Sequence, residues 1–133
     1  MMLGDKAVSS IYRYLIVNIK DIGIGKGRVF KYERPEKYSG EYISINHLPF
    51  VHKDVVQSGI VNVNVHVPKT ASNEPNTKRL CEICDRIAIL FDKDVYINGA
   101  YFSFYCDSRP TLDNDDTYYI NIKLNVIYNN LKD

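Results

Sequence analysis

Apolar and polar residues alternate along two long segments of this chain, residues 59–67 and residues 117–129. A period of two residues is typical of a β-strand that buries one face and leaves the other in water. We therefore predict two long strands, the first of which ends at Pro68. The apolar positions are Val61, Val63, Val65 and Val67, and Ile120, Ile122, Leu124 and Val126. The polar positions are Asn62, Asn64 and His66, and Asn121, Lys123 and Asn125.

Two other segments repeat their apolar residues with the period of a helix. They predict helices over residues 5–20 and 77–92, and Asn73 or Asn76 can cap the second helix. Three glycines within residues 23–27 end the first helix and predict a flexible connector. The apolar stripes are Val8, Ile11, Tyr12, Leu15 and Ile19, and Leu80, Ile83, Cys84, Ile87, Leu90 and Phe91.

Shorter apolar segments predict two hairpins. Residues 28–34 and 41–48 read as strands joined by a turn at 35–40, with Ile43 and Ile45 on one face. Asn98-Gly99 is a strong two-residue turn signal between residues 95–97 and 100–102, because both turn positions need positive φ.

The order of these elements indicates one α+β domain over residues 1–133. We expect a mixed, mainly antiparallel sheet of about five to six strands, with two helices packed on one face. A chain of this length buries enough surface to fold without a disulfide or a metal.

The charge balance argues against non-specific binding to polyanions. The formal net charge is +1, and the basic residues are spread along the chain without a stripe. The composition is instead notable for eleven tyrosines and no tryptophan. Tyrosine suits both half-buried sheet faces and protein interfaces, because it joins an apolar ring to a polar tip.

The three cysteines do not form a pattern typical of a redox or zinc site. Cys81 and Cys84 match a Cys-x-x-Cys pattern, but both lie inside a predicted helix rather than at its N-terminus, where a thiol becomes reactive. With Cys106 they lack the second close ligand pair of a zinc site. Because no secretory leader precedes them, we expect free thiols in a reducing, intracellular environment.

Acidic residues and histidines complete the candidates for catalysis. Asp107, Asp113, Asp115 and Asp116 fall in a predicted polar loop over residues 107–116 that lacks the calcium-loop pattern. Among the histidines His47, His52 and His66, no serine or cysteine is placed to form a recognisable nucleophilic arrangement. We therefore expect no enzyme activity, cofactor or metal. The alternative from another class is a small metal-dependent nuclease that uses the aspartates of residues 107–116.

A resemblance to a known family rests on the order of the elements. The matching features are the N-terminal amphipathic helix, the hairpin over residues 28–48, the strand Ser58-Gly59-Ile60-Val61-Asn62-Val63-Asn64-Val65-His66-Val67-Pro68, the helix that contains Lys78-Arg79-Leu80 and Ile87, and Tyr118-Tyr119-Ile120-Asn121-Ile122-Lys123-Leu124-Asn125-Val126. In this order the chain resembles the tail terminator, or tail-completion, proteins of long-tailed bacteriophages. The glycine-rich residues 23–27 map to no feature of that family.

The resemblance implies a structural virion protein that acts in the neck or tail and is made in the host cytoplasm. It implies a homo-hexameric ring at the head-proximal end of the tail tube, with the tail tube protein and a head connector or stopper as partners. DNA would pass through the lumen without sequence readout, and no membrane is involved. A head-completion or connector-stopper protein of the neck, or a stand-alone adaptor domain, would share the same pattern.

Ring formation predicts which surfaces meet a partner, because a closed ring needs head-to-tail contacts between different patches. We expect the polar strand faces and the loops over residues 69–76 and 107–116 to provide them. The predicted interface residues are Asn62, Asn64, His66, Asn121, Lys123, Asn125, Asp113, Asp115 and Asp116.

Overall fold

Three helices and seven strands make up the fold in the computed structural model, which describes residues 1–36, 38–52, 55–113 and 116–129. The helices are α1 (Gly4–Val17), α2 (Ile19–Ile22) and α3 (Thr77–Leu90), and a 3-10 turn covers Lys26–Arg28. The strands are β1 (Val29–Lys31), β2 (Tyr42–His47), β3 (Val56–Pro68), β4 (Val95–Ile97), β5 (Ala100–Asp107), β6 (Thr111–Leu112) and β7 (Thr117–Asn129). The chain is therefore α+β, as its sequence predicts.

The two alternating segments form the centre of one mixed sheet. The strand order is β1-β2-β3-β7-β5-β4, and β6 pairs with β7 beyond the end of β5. β3 and β7 are antiparallel over their whole length, from Val56 opposite Asn129 to Pro68 opposite Thr117. This long register means that a side chain of β3 and its partner on β7 lie on the same face of the sheet.

The apolar face of this sheet and the helices together form the core. The apolar residues predicted for both alternating strands are buried, as are Ile43 and Ile45 of β2. The apolar stripes of α1 and α3 pack against them. No helix in the described part of the chain is long and apolar enough to cross a membrane. The fully buried helix residues include Val8, Ile11, Leu15, Leu80, Ile83 and Ile87.

Two local predictions are confirmed by the backbone. The side chain of Asn76 caps α3 by accepting a hydrogen bond from the Arg79 backbone N–H, at 3.2 Å. Asn98 and Gly99 both have positive φ, at 52° and 87°, and join β4 to β5 in a two-residue turn. These features depend on neighbouring residues only, so the sequence signal is enough to predict them.

The predicted hairpin of residues 28–48 is wrong, because β1 and β2 are parallel. Val29 lies opposite Ile43, and Lys31 lies opposite Ile45. Parallel neighbours need a connection that returns to the start of the first strand. β1 spans only about 10 Å, so residues 32–41 are long enough to return without a helix. Tyr32 begins this return with a positive φ of 68°.

Three further differences concern element bounds. The first helix stops at Val17, because the Asn18 side chain donates to the Tyr14 carbonyl at 2.8 Å and competes with the helix backbone. Instead of being a flexible connector throughout, the following segment holds α2, which Gly23 ends at φ 83°, and a 3-10 turn. The predicted loop over residues 107–116 contains β6, because Thr111 and Leu112 pair with Tyr119 and Tyr118.

The ion pair between Arg79 and Glu41 connects α3 to the edge of the sheet, where Glu41 precedes β2. Arg79 donates from Nε and Nη2 to the two carboxylate oxygens of Glu41, at 2.9 and 2.6 Å. Its Nη2 also donates to the Gly23 carbonyl, so the same guanidinium reaches the end of α2. The hydrogen bonds from Arg79 are the main reason that the pKa of Glu41 lies below its ordinary value.

Candidate functional site

An open groove lies on the face of the sheet opposite the helices. It has a volume of about 550 Å³, and its floor is formed by the polar faces of β2, β3 and β7. Residues 108–113, which contain β6, form one wall. The groove is therefore made by the side chains that alternate with the buried core residues.

The strand register arranges the open faces of β2, β3 and β7 in three rows that cross the sheet, and all of their residues except Tyr42 line the groove. Each row takes one residue from each strand, and neighbours in a row are direct cross-strand partners. The rows are Tyr42–His66–Tyr119, Ser44–Asn64–Asn121 and Asn46–Asn62–Lys123.

Aromatic rings stack along the first row. The Tyr42 and His66 rings are nearly parallel with their centroids 4.2 Å apart, and the Tyr119 ring lies 5.2 Å from His66 on the other side. His66 is consequently only 5% exposed. The prediction that His66 lies on a wet strand face is wrong, because its cross-strand neighbours carry rings large enough to cover it.

Hydrogen-bonding groups meet both nitrogens of His66. Its Nδ1 lies 3.1 Å from Thr117 Oγ1 and 3.6 Å from Asp113 Oδ2, and its Nε2 lies 3.5 Å from Ser44 Oγ. Ser44, His66 and Asp113 are therefore neighbours in space, with the histidine between the other two. Sequence reasoning missed this arrangement because the serine comes from β2, a different strand from His66. Only the position of Ser44 on the polar side of β2 could have indicated it.

This serine lacks the surroundings of a nucleophile. Ser44 is 6% exposed, and β2 is hydrogen-bonded to β1 on one side and to β3 on the other. Backbone N–H groups that stabilise an oxyanion must be available to the substrate, whereas those of a central strand are used by the sheet. We therefore interpret the contacts of His66 as those of a buried, hydrogen-bonded histidine.

Asparagine side chains connect the other two rows. Asn62 donates to Asn46 Oδ1 at 2.8 Å, and its own Oδ1 accepts from Lys123 Nζ at 2.8 Å and from Asn121 Nδ2 at 3.1 Å. Asn121 Nδ2 also donates to Asn64 Oδ1 at 2.8 Å. Asn62 is the centre of this network and is 7% exposed, which corrects its prediction as a wet-face residue.

The predicted interface residues divide between the groove and other places. Six of them line the groove: Asn62, Asn64, His66, Asn121, Lys123 and Asp113. Asn125 lies on the same face of the sheet but between Ile60 and Ser103, outside the groove lining. Asp116 is exposed and pairs with Lys69 at 3.3 Å, and Asp115 lies outside the described residues.

A second feature of the open face is a band of apolar side chains beyond Asn125, which we call the apolar row. It consists of Val51, Ile127, Tyr101 and Tyr96, with Ser58 between Val51 and Ile127. The four apolar side chains are between 43% and 55% exposed, and the Tyr96 and Tyr101 rings are 4.9 Å apart. Sequence reasoning missed this row, although Ile127 stands where the alternation of β7 requires a polar residue.

The cysteines belong neither to the groove lining nor to the apolar row. All three are free, and burial is the main reason that the pKa of Cys84 rises to about 12. A thiol with such a pKa is almost wholly protonated at neutral pH and is a poor nucleophile. Among the described residues no group of three or more possible ligands could hold a metal ion.

No protein-family model matches the sequence, and no curated protein matches it.

Proposed function

We propose that this chain is a structural virion protein, a tail terminator that forms a ring at the head-proximal end of a phage tail tube and joins the tail to the head. The order of the two amphipathic helices and the two long strands suggests the family, whereas residues 28–48 contain a parallel strand pair instead of the hairpin included in the resemblance. The apolar row is the observation that carries the assembly role. Three adjacent strands here carry the half-exposed neighbours Ile127, Tyr101 and Tyr96, with Val51 beyond Ser58, and clustered exposed apolar side chains of this kind mark interaction surfaces.

Covering the apolar row in an assembly is favourable. Each Å² of apolar surface removed from water contributes about 25 cal/mol, and tyrosine is enriched where proteins meet. Val56 precedes this row on β3 and is 44% exposed, and Val55 is 50% exposed, so the apolar surface extends toward the start of the strand. A partner would therefore dock over this end of the β3–β7 pair.

The two outer edges of the sheet suit head-to-tail association. β1 lies at one edge and β4 at the other, and neither has a second partner strand within the described part of the chain. Contacts between unlike edges or patches are heterologous, and they produce a closed ring when the rotation between neighbours closes. We propose a homo-hexamer with the tail tube protein on one side and a head connector or stopper on the other.

The near-neutral charge supports a lumen that does not hold DNA tightly. A protein that holds DNA tightly neutralises many phosphates with lysine and arginine, whereas the formal net charge here is +1. The proposed site of action is the neck or tail of the virion, after assembly in the host cytoplasm.

Electron microscopy and light scattering of the purified protein test the ring. We expect rings, and we expect Ile127→Asp to reduce them because it places a charge inside the covered apolar row. Val17→Asp is the matched control, since Val17 is 82% exposed and lies at the end of α1, away from the open face. A strict monomer that also fails to bind purified tail tubes would overturn the proposal.

A head-completion or connector-stopper protein of the neck is the alternative within the same class. Labelling the protein in assembled particles would distinguish them, because it shows whether the protein lies at the end of the tail or in the connector. The nuclease alternative gains no support among the described residues, because Asp113 faces His66 and Asp116 pairs with Lys69 instead of converging on one site. Mg²⁺-dependent DNA cleavage that is lost in Asp113→Ala would favour it.

A further inference from the structure

In the asparagine network of the groove, the amide oxygens of three asparagines accept hydrogen bonds, while amide N–H donors of two of them have no acceptor among the described residues. Each amide oxygen of Asn46, Asn62 and Asn64 already accepts a hydrogen bond from a neighbour. The amide nitrogens of Asn46 and Asn64 have no acceptor among the described residues. A side-chain amide carries two N–H donors, so this part of the groove has several donors left for a ligand.

Lys123 adds a positive charge to these donors. Its ammonium has three N–H groups, and among the described residues it donates one side-chain hydrogen bond, to Asn62 Oδ1 at 2.8 Å. Lys123 is half-buried and forms no ion pair with a carboxylate in the described parts of the chain. A half-buried cation is most favourable when an anion approaches it, because the surrounding medium screens the attraction less than water does.

We propose that the groove is a binding site for a hydroxylated carboxylic acid of the sugar-acid class, with its carboxylate held by Lys123 and the amides of Asn46 and Asn64. One ammonium flanked by neutral amides matches a singly charged carboxylate better than a doubly charged phosphate. The carboxylate that also lines the groove, Asp113, lies beside His66 in the aromatic row and not beside Lys123. The site goes beyond the proposed ring and does not depend on it.

The row next to Lys123 provides groups for the hydroxyls of the ligand. Asn121 Oδ1 has no donor among the described residues, and it belongs to the amide that donates to Asn64 at 2.8 Å. A hydroxyl can therefore donate to Asn121 and accept from Asn64 at the same time. The groove continues to the aromatic row about 13 Å along the strands, and its volume of about 550 Å³ accommodates a sugar-sized molecule.

Nuclear magnetic resonance of the labelled protein tests this site, because the side-chain amide signals of Asn46, Asn62, Asn64 and Asn121 report on it directly. The probes are glucuronate, its neutral analogue glucuronamide, and inorganic phosphate. We expect glucuronate to shift these signals and to bind at least about tenfold more tightly than glucuronamide, the factor expected for one charge-assisted hydrogen bond. Equal binding of the two, binding of phosphate as tight as that of glucuronate, or no shift with any probe would each overturn the proposal.

Variants connect the binding to the named residues. Lys123→Met should weaken glucuronate binding about tenfold or more, and Lys123→Arg should restore part of it. Lys78→Met removes an exposed lysine of α3 and should leave binding unchanged. Asn64→Asp is the second test, because it keeps the shape of the side chain but places a negative charge beside the ligand carboxylate. Unchanged binding in both Lys123→Met and Asn64→Asp would contradict the site.

Discussion

The two faces of the β3–β7 pair are built from adjacent residues of the same strands, yet they are stabilised differently. The helix face consists mainly of valine, isoleucine and leucine that are almost completely buried. The open face holds a hydrogen-bonded asparagine network and the stacked His66 at one end, and the exposed apolar row at the other. The helix face contributes through buried area, which is not directional, whereas the open face depends on which groups the register brings together.

Truncation of one buried residue and one exposed residue of β7 should give the largest difference between the faces. Ile122 is 0% exposed and Ile127 is 43% exposed, and they are the same residue type on opposite faces. Ile122→Ala should lower the free energy of unfolding by about 2–5 kcal/mol, because it removes buried atoms and leaves a cavity. Ile127→Ala is the control and should cost about 0.5 kcal/mol. Urea denaturation measures both, and equal costs would contradict the assignment of the two faces.

A smaller loss is expected at the centre of the polar network. Asn62→Ala removes the acceptor of Lys123 and Asn121 and the donor to Asn46, so it should lower the free energy of unfolding by about 1–3 kcal/mol. Asn125→Ala provides the comparison on the same face, since the Asn125 side chain lies outside the groove lining. Chemical denaturation should show less than about 0.5 kcal/mol for it. Similar values for both variants would mean that the network adds nothing to stability.

The smallest expected effect depends on pH and concerns the rim of the helix face. The pKa of Glu41 is lowered in the folded protein, so its stabilising contribution is present above the unfolded pKa of about 4.3 and is lost as the pH falls through the folded value. Glu41→Gln should therefore cost about 1 kcal/mol at pH 7 and progressively less below about pH 4. Denaturation at pH 7 and pH 3 measures the difference, and Glu74→Gln, which lacks an arginine partner in the described part of the chain, should not reproduce it.

Local patterns determined much of this fold. The alternation in residues 59–67 and 117–129 predicts the central strands, because a period of two can bury only one face. Asn98-Gly99 predicts its turn and Asn76 its cap from local backbone chemistry alone. The strip of apolar residues in α3 likewise needs no knowledge of the rest of the chain to indicate a buried helix face.

Tertiary structure decided how these elements meet and therefore what the surfaces contain. The parallel pairing of β1 and β2 depends on the path of residues 32–41, for which the sequence has no periodic signal. Burial of His66 depends on rings that Tyr42 and Tyr119 bring from other strands, 24 and 53 positions away in the chain. The groove and the apolar row likewise exist only because the register aligns residues from several strands. Sequence patterns determine which face of a strand is buried, but contacts between distant segments determine what its other face can bind.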